Sequence, residues 1–537
     1  MMKRVFKIDK ITTLIMVLII ALSSCTSDLD ITPKDDQDLL GEEFFANETS
    51  YKELIAGVYA NLSLTGIDGP GDSNIDGLDA GTSQFGRVLL YLQTLSADQM
   101  IWSYENDPGT REIQRNIWNA DDPIILGMFG RSHVTIAFAN NFLRETSAAK
   151  LDERNVSAAT RADIIGYRAE ARLLRAMSYY YMMDLFGQAN FSTENNAINE
   201  QPEVYNRAQL FDFIEQELID IESDLAEPMA VEHGRASKGV AWMILAKIYL
   251  NAEVYTGQSK YTECIDYCNK IINGGYTLAN NYLHNFMADN NTNSAANEII
   301  FPLISDGTFT QNYGPTTVMI NGSVGSIESN GAALGVGAGG WGGALRIRKQ
   351  LALLFEESIF NGDTRNTIIS NERGIDITDI SDRDQGYILE KYSNATSTGS
   401  FGVDQTFVDT DFPLFRLADV YLMYAEAHLR GGAGATEANV TAYINSLRSR
   451  ANNPQNNLTM SNITLDFILD ERSRELHWEA HRRQDLVRFG LFTGGAYNWV
   501  WKGNGTNGIA LPNHFNLYPV PSASLASNPN LTQNPGY

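Results

Sequence analysis

"GVAWMILAKIYLNAEVYTGQSKYTECIDYCNKIINGGY", residues 239–276, decides the fold class. Trp242, Leu245, Ala246 and Tyr249 recur at i, i+3, i+4 and i+7, the rhythm of one apolar helix face. After the break "TGQSK", Tyr261, Ile265, Cys268 and Ile272 recur at i, i+4, i+7 and i+11. Two amphipathic helices joined by a short polar turn make a hairpin of tetratricopeptide-repeat (TPR) length, with small Ala246 where the helices must approach closely. Cys264 and Cys268 stand at i and i+4 on the second helix without two further zinc ligands, so they read as small buried thiols.

The design recurs on both sides. Upstream, from about Tyr167, "YRAEARLLRAMSYYYMMDLFG" reads as a long helix closed by Gly187. Downstream, Leu417, Val420, Tyr421, Tyr424, Ala425 and His428 form one stripe, "GGAGA" breaks it, and Val440, Tyr443, Ile444, Leu447 and Ala451 form the next. "FILDERSRELHWEAHRRQDLVRFG" reads as one further helix ending at Gly490. The fold class is therefore mainly α, a stack of TPR-like helical hairpins resembling an α-solenoid. Between the hairpin sets, roughly residues 277–415 lack periodicity and include nine glycines from Gly322 to Gly343 around Trp341. A second aperiodic stretch, Ser63–Arg87, is rich in Gly and Asp and reads as loop. Loops on a rigid helical frame commonly carry the binding site.

At the N-terminus "MMKRVFKIDK" precedes a 12-residue apolar run, Ile11–Leu22, too short to span a bilayer comfortably and suited to a signal peptide. Leu22-Ser23-Ser24-Cys25 resembles the lipobox of bacterial lipoproteins. It predicts a signal peptide over 1–24, lipidation of Cys25, a tether over 25–45 and a single large domain over 46–537. The chain has 537 residues, 43% of them apolar, and a formal charge of −25. That acidity argues against nucleic acid, whose phosphates require a Lys/Arg footprint, and favours a neutral partner.

Catalytic signatures are missing. The chain has no GxSxG elbow, P-loop, dinucleotide fingerprint or HExxH, so the expectation is a binding protein and not an enzyme, with no required cofactor. "HWEAH" (His477–His481) places two His at i and i+4 on the expected helix, but Glu479 is not adjacent to the first, and a capped, ion-paired helix explains it better. "GRASKG" (234–239) lacks the Lys-Ser/Thr of a phosphate loop and reads as the lead-in to the next helix. The one cofactor candidate is a structural calcium held by Asp289, Asn291 and Asn293, completed by Asp409 or Asp411 in "VDTDFP". An Asx-turn hydrogen-bonding its own backbone is the alternative reading of the same residues.

What remains is aromatic. Trp102, Tyr104, Tyr313 and Trp341 all sit in Gly/Asn/Asp-rich surroundings outside any amphipathic stripe. A sugar ring offers an apolar C–H face and a rim of hydroxyls, which flat aromatic platforms flanked by Asp, Asn and Arg can hold.

Several segments, in order, carry a family resemblance: "SCTSDLDITP", "AEARLLRAMSYYYMMDLFG", "GRASKGVAWMILAKIYL", "NEIIFPL", "FPLFRLADVYLMYAEAHLRGG", "ERSRELHWEAHRRQDLVRFG" and "LYPVPSASLASNPNLTQNPGY". Together they resemble the SusD/RagB family of Bacteroidetes outer-membrane lipoproteins, over essentially the whole chain. The resemblance implies four TPR-like hairpins cradling an irregular ligand-binding half, exposure at the cell surface through the N-terminal lipid, and no catalysis. It also implies partnership with a SusC-like TonB-dependent transporter. "TLSADQMIWSYEND", "NYGPTT" and "DTDFPLFRLADVYL" are similar to the family's starch-binding prototype, in which an arc of three rings follows an α-glucan. Carried over by position, the arc here is Tyr104, Tyr313 and Trp341, with Asp79, Arg87 and Asn106 as hydrogen-bonders; Asn106 requires a one-residue gap, and Tyr104 replaces a tryptophan. Composition favours Trp102 as the exposed platform, whereas the positional comparison makes it a buried anchor. The resulting expectation is capture of starch or malto-oligosaccharides for the transporter. The alternatives are another neutral glycan or a peptide, a helical glycoside hydrolase, or a TPR-like scaffold with a purely protein ligand.

Overall fold

Helices form where the apolar rhythm and the caps agree. In the computed structural model, which describes residues 41–197 and 199–537, Ser237 caps the helix Lys238–Leu250 by accepting from the Gly239 amide. This helix packs against Tyr261–Ile272, giving the expected hairpin, and Cys264 and Cys268 are free and buried. Burial pushes the Cys268 thiol well above its ordinary value. The expected signal peptide and Cys25 lie outside the described residues, as does the tether up to residue 40. Residues 41–51 belong to a unit separate from residues 52–537. No described helix is long and apolar enough to cross a membrane.

The stack continues in both directions. Pro123–Glu145 packs on Ala158–Phe186, which packs on Arg207–Ile221; Tyr261–Ile272 packs on Leu417–Leu429, which contacts Glu437–Arg450 and Leu465–Leu476. Ala158–Phe186 closes at Gly187, in the left-handed region at φ 68°, as expected, but starts well before Tyr167. Ser157 caps it there, and its first turns face solvent, so no apolar stripe betrays them.

Two expectations need correction. Residues 467–490 are not one helix: Leu465–Leu476 and Arg482–Arg488 are separated by "HWEAH", with Trp478 (φ 60°) and Ala480 (φ 59°) in left-handed backbone. His477 and His481 therefore share no helix face. His477 Nδ1 lies 2.9 Å from the Arg474 carbonyl, and burial lowers the pKa of His481 to about 3, helped by Lys247. The break turns Glu475 and Glu479 toward Arg416, which reaches Glu479 at 2.6 Å, Glu475 at 2.7 Å and Glu298 at 2.9 Å, all buried. Lys391 joins Glu479 at 2.6 Å. The second correction concerns Ser63–Arg87, whose end is helical: Ala80–Ser83 and the start of Phe85–Leu90 lie inside it.

The loop-rich region is an insertion between two helices that pack on each other, Tyr261–Ile272 and Leu417–Leu429. It is not wholly irregular, containing the helix Pro315–Gly322 and short strands. Ile299–Leu303 pairs antiparallel with Phe412–Arg416, joining an early and a late part of the insertion. Met100–Trp102 pairs with Leu345–Ile347, Trp102 opposite Leu345, and so joins the N-terminal segment to the glycine-rich stretch.

Candidate functional site: a cavity lined by aromatic rings

That second pairing builds the site. It sets Tyr104, two residues beyond one strand, beside Trp341, four residues ahead of the other. Trp102 is 2% exposed and sits at the centre. The Tyr104 ring meets it edge-on at 5.9 Å and 75°, and the Trp341 ring does so at 6.0 Å and 84°. Trp102 Nε1 donates to Asp107 Oδ2 at 2.8 Å, and its backbone N–H donates to Gln114 Oε1 at 2.9 Å. Tyr104 is 38% exposed, and its hydroxyl donates to the Trp341 carbonyl at 2.8 Å. Trp102 is thus the buried anchor and Tyr104 the outward ring.

The glycines around Trp341 have a steric reason. Gly340, Gly342 and Gly343 have φ of 41°, 59° and 76°, and a Cβ at Gly340 would lie 2.4 Å from Val324 Cγ2. The tight coil leaves the Trp341 ring partly exposed. Tyr313, also half-buried, is placed by Asn312, whose Oδ1 accepts from the Gly314 amide, and by an edge contact with Phe407 at 5.2 Å.

The polar wall comes from the corrected helical segment. Asp79 caps Ala80–Ser83, its Oδ1 accepting from the Thr82 amide at 2.8 Å and the Thr82 hydroxyl at 3.0 Å. Gln84 caps the next helix by accepting from the Arg87 amide, and Arg87 Nε donates to the Tyr91 hydroxyl at 3.0 Å. The Arg87 guanidinium also lies 6.0 Å from the Trp102 ring centre. At Gly81 a Cβ would stand 3.2 Å from Asp79 Oδ1 and 3.3 Å from Arg87 Cζ, so glycine lets the two groups converge.

A cavity of about 480 Å³ opens among these side chains. Asp79, Arg87, Tyr104, Tyr313 and Trp341 all line it, together with Trp102 and Asp107. Asn106 is exposed and outside the lining. Asp107, which sequence reasoning missed, occupies the neighbouring position, the uncertainty of register that the one-residue gap had carried. Tyr91 was also missed, for it sits in an unbroken apolar run with no signal of its own.

Of the five calcium candidates, Asp289 and Asn293 hydrogen-bond to each other. Asp289 accepts from the Ser397 amide and hydroxyl and from Asn293, Asp409 from the amides of Gly307 and Val403, and Asp411 from Ser305 and His233. Each carboxylate is spent on separate protein donors, and among the described residues no three His, Cys, Asp or Glu side chains group as a metal site would.

Residues 243–537 match the sequence pattern described as the SusD family. Across 98% of both chains, the sequence is 33% identical to the starch-binding protein SusD of Bacteroides thetaiotaomicron. The chain belongs to the SusD family. Its fold agrees: a SusD superfamily protein from Bacteroides vulgatus superposes with a TM-score of 0.69 at 18% identity, over 91% of this chain and 99% of that one. Surface glycan-binding protein A of Bacteroides thetaiotaomicron, solved with laminarihexaose, gives 0.65 at 19% identity, over 90% and 98%. The mainly helical, TPR-like architecture of the SusD superfamily is the architecture of this chain.

Proposed function

We propose that this SusD-family chain is a glycan-binding protein whose ring-lined cavity takes a segment of an α-glucan such as starch or a malto-oligosaccharide. One observation carries the reading: Tyr104, Tyr313 and Trp341 reach solvent around a single cavity beside Asp79 and Arg87. Aromatic faces cover the C–H faces of successive sugars while the charged pair meets their hydroxyls. The relative at 33% identity is named for starch binding, which favours an α-linked chain over the β-linked laminarihexaose bound by the more distant structural neighbour. Binding without catalysis suits the carboxylates of the cavity, because Asp79 serves as a helix cap and Asp107 holds Trp102. The same reading includes lipidation at Cys25, anchorage at the outer-membrane surface and delivery of glycan to a SusC-like TonB-dependent transporter.

Isothermal titration of residues 46–537 with maltoheptaose and with laminarihexaose tests it. Binding of maltoheptaose that Trp341→Ala abolishes supports the reading. Binding of laminarihexaose alone would replace α-glucan with β-glucan, and sugar release from either would overturn the non-catalytic assignment.

A further inference from the structure

Tyr104 lines the cavity and reaches solvent. Beyond it lies the loop 374–386, closed by the Gly386 amide donating to the Gly374 carbonyl at 2.8 Å. Two buried arginines hold this loop by its backbone. Arg346 donates to the carbonyls of Ile380, Asp382 and Gln385, and Arg373 donates to those of Arg383 and Gly386. A loop pinned so firmly is a platform, yet its own Arg383 side chain is exposed.

Arg383 is aimed at the arc. Its Nη1 donates to the Tyr104 hydroxyl at 3.2 Å, and its Cζ lies 5.9 Å from the Tyr104 ring centre. The phenol is thus fully used, donating to the Trp341 carbonyl and accepting from Arg383. A tryptophan could supply only the donor half of that arrangement. Gly342 makes the approach feasible: a Cβ there would stand 2.7 Å from Arg383 Nη1. Among the described residues Arg383 pairs with no carboxylate, so its remaining N–H groups are unspent. A long, exposed, unpaired guanidinium beside an exposed ring is a hydrogen-bond donor waiting for an acceptor that the protein does not supply.

We infer that Arg383 forms an outer subsite, in which its free N–H groups donate to the hydroxyl oxygens of a sugar stacked past Tyr104, outside the 480 Å³ cavity. The inference rests on the glycan reading of the cavity and adds a length preference to it. A neutral oligosaccharide long enough to run from Trp341 past Tyr104 gains the Arg383 contact, whereas a short one filling the cavity alone does not. Arg383 also steadies the Tyr104 ring, so its effect must be separated from that of the ring.

The experiment compares maltoheptaose with maltotriose by isothermal titration against wild type, Arg383→Ala, Gly342→Ala and Tyr104→Phe. Arg383→Ala should weaken maltoheptaose binding about five- to twentyfold, the loss of one charge-assisted hydrogen-bond set, and leave maltotriose within about twofold. Gly342→Ala displaces the guanidinium and also strains the coil that carries Trp341, so it should weaken both sugars and not maltoheptaose alone. Tyr104→Phe keeps the ring and frees Arg383, so it should cost less than Arg383→Ala. Equal weakening of both sugars by Arg383→Ala, or no weakening of either, overturns the subsite. Failure of wild type to bind any glycan, or indifference to Trp341→Ala, would instead sink the reading on which it rests.

Discussion

Trp102→Ala should unseat the arc by removing its support and not its surface. At 2% exposure, truncating a buried tryptophan costs about 3–5 kcal/mol. Within that sum, the two edge-to-face contacts with Tyr104 and Trp341 contribute about 0.5–1.5 kcal/mol each. The carboxylate of Asp107 also loses the indole N–H that it accepts, about 1 kcal/mol more if no water replaces it. Tyr104→Ala behaves differently: the ring is 38% exposed, and its removal forfeits the hydroxyl's bonds and one edge contact with Trp102, about 1–2 kcal/mol together. Its cost should fall on the ligand, where losing one stacking face worth about 1–2 kcal/mol weakens binding roughly five- to thirtyfold. Urea denaturation followed by tryptophan fluorescence, and titration with maltoheptaose, give the two readouts. Trp102→Phe should fall between, keeping a ring but losing the Asp107 bond. A Trp102→Ala protein within about 1 kcal/mol of wild type would refute the anchor, and so would a Tyr104→Ala protein that lost stability while keeping its affinity.

Asp107→Ala should weaken glycan binding by loosening Trp102, while Asn106→Ala should change affinity less than about twofold, since Asn106 stands outside the cavity lining. Glu475→Gln should destabilise the fold by about 3–5 kcal/mol, because it strips charge from a buried carboxylate shared by Arg416, Arg450 and Arg365; chemical denaturation measures this. Asp122, the buried cap of Pro123–Glu145, has its pKa raised from 3.8 to about 7 by desolvation, with one carboxylate oxygen lacking a partner. A raised carboxyl favours folding while protonated, so its contribution is complete below pH 3.8 and lost as pH rises through 7. Asp122→Asn, which keeps the cap, should remove up to ~4 kcal/mol of that pH-dependent loss between pH 4 and 7. Parallel stability–pH profiles for wild type and variant would refute it.

Legibility followed periodicity. Tyr261–Ile272 was readable because it buries one face, whereas Lys238–Leu250 and Leu417–Leu429 are buried on nearly every side and were readable from the apolar positions that recur along them. The start of Ala158–Phe186 was hidden because its first turns are exposed and leave the apolar pattern blank. The break at "HWEAH" was hidden because a left-handed Trp478 and Ala480 defy local preference, held there by the buried ion pairs of Arg416 and Lys391. Asp107 was missed because position within a turn cannot be read to one residue.

By itself the sequence determined a helical scaffold, an aperiodic insertion and a set of rings outside any amphipathic stripe, since amphipathic periodicity and its interruption are local properties of the chain. The tertiary structure decided which rings meet. Only the pairing of Met100–Trp102 with Leu345–Ile347 sets Tyr104 beside Trp341 and buries Trp102 beneath them, and only the loop held by Arg346 and Arg373 carries Arg383 to Tyr104. The strand pairing and the two contacts of Tyr104 join residues more than two hundred positions apart, and their geometry depends on strand register and packed side chains that no local pattern records.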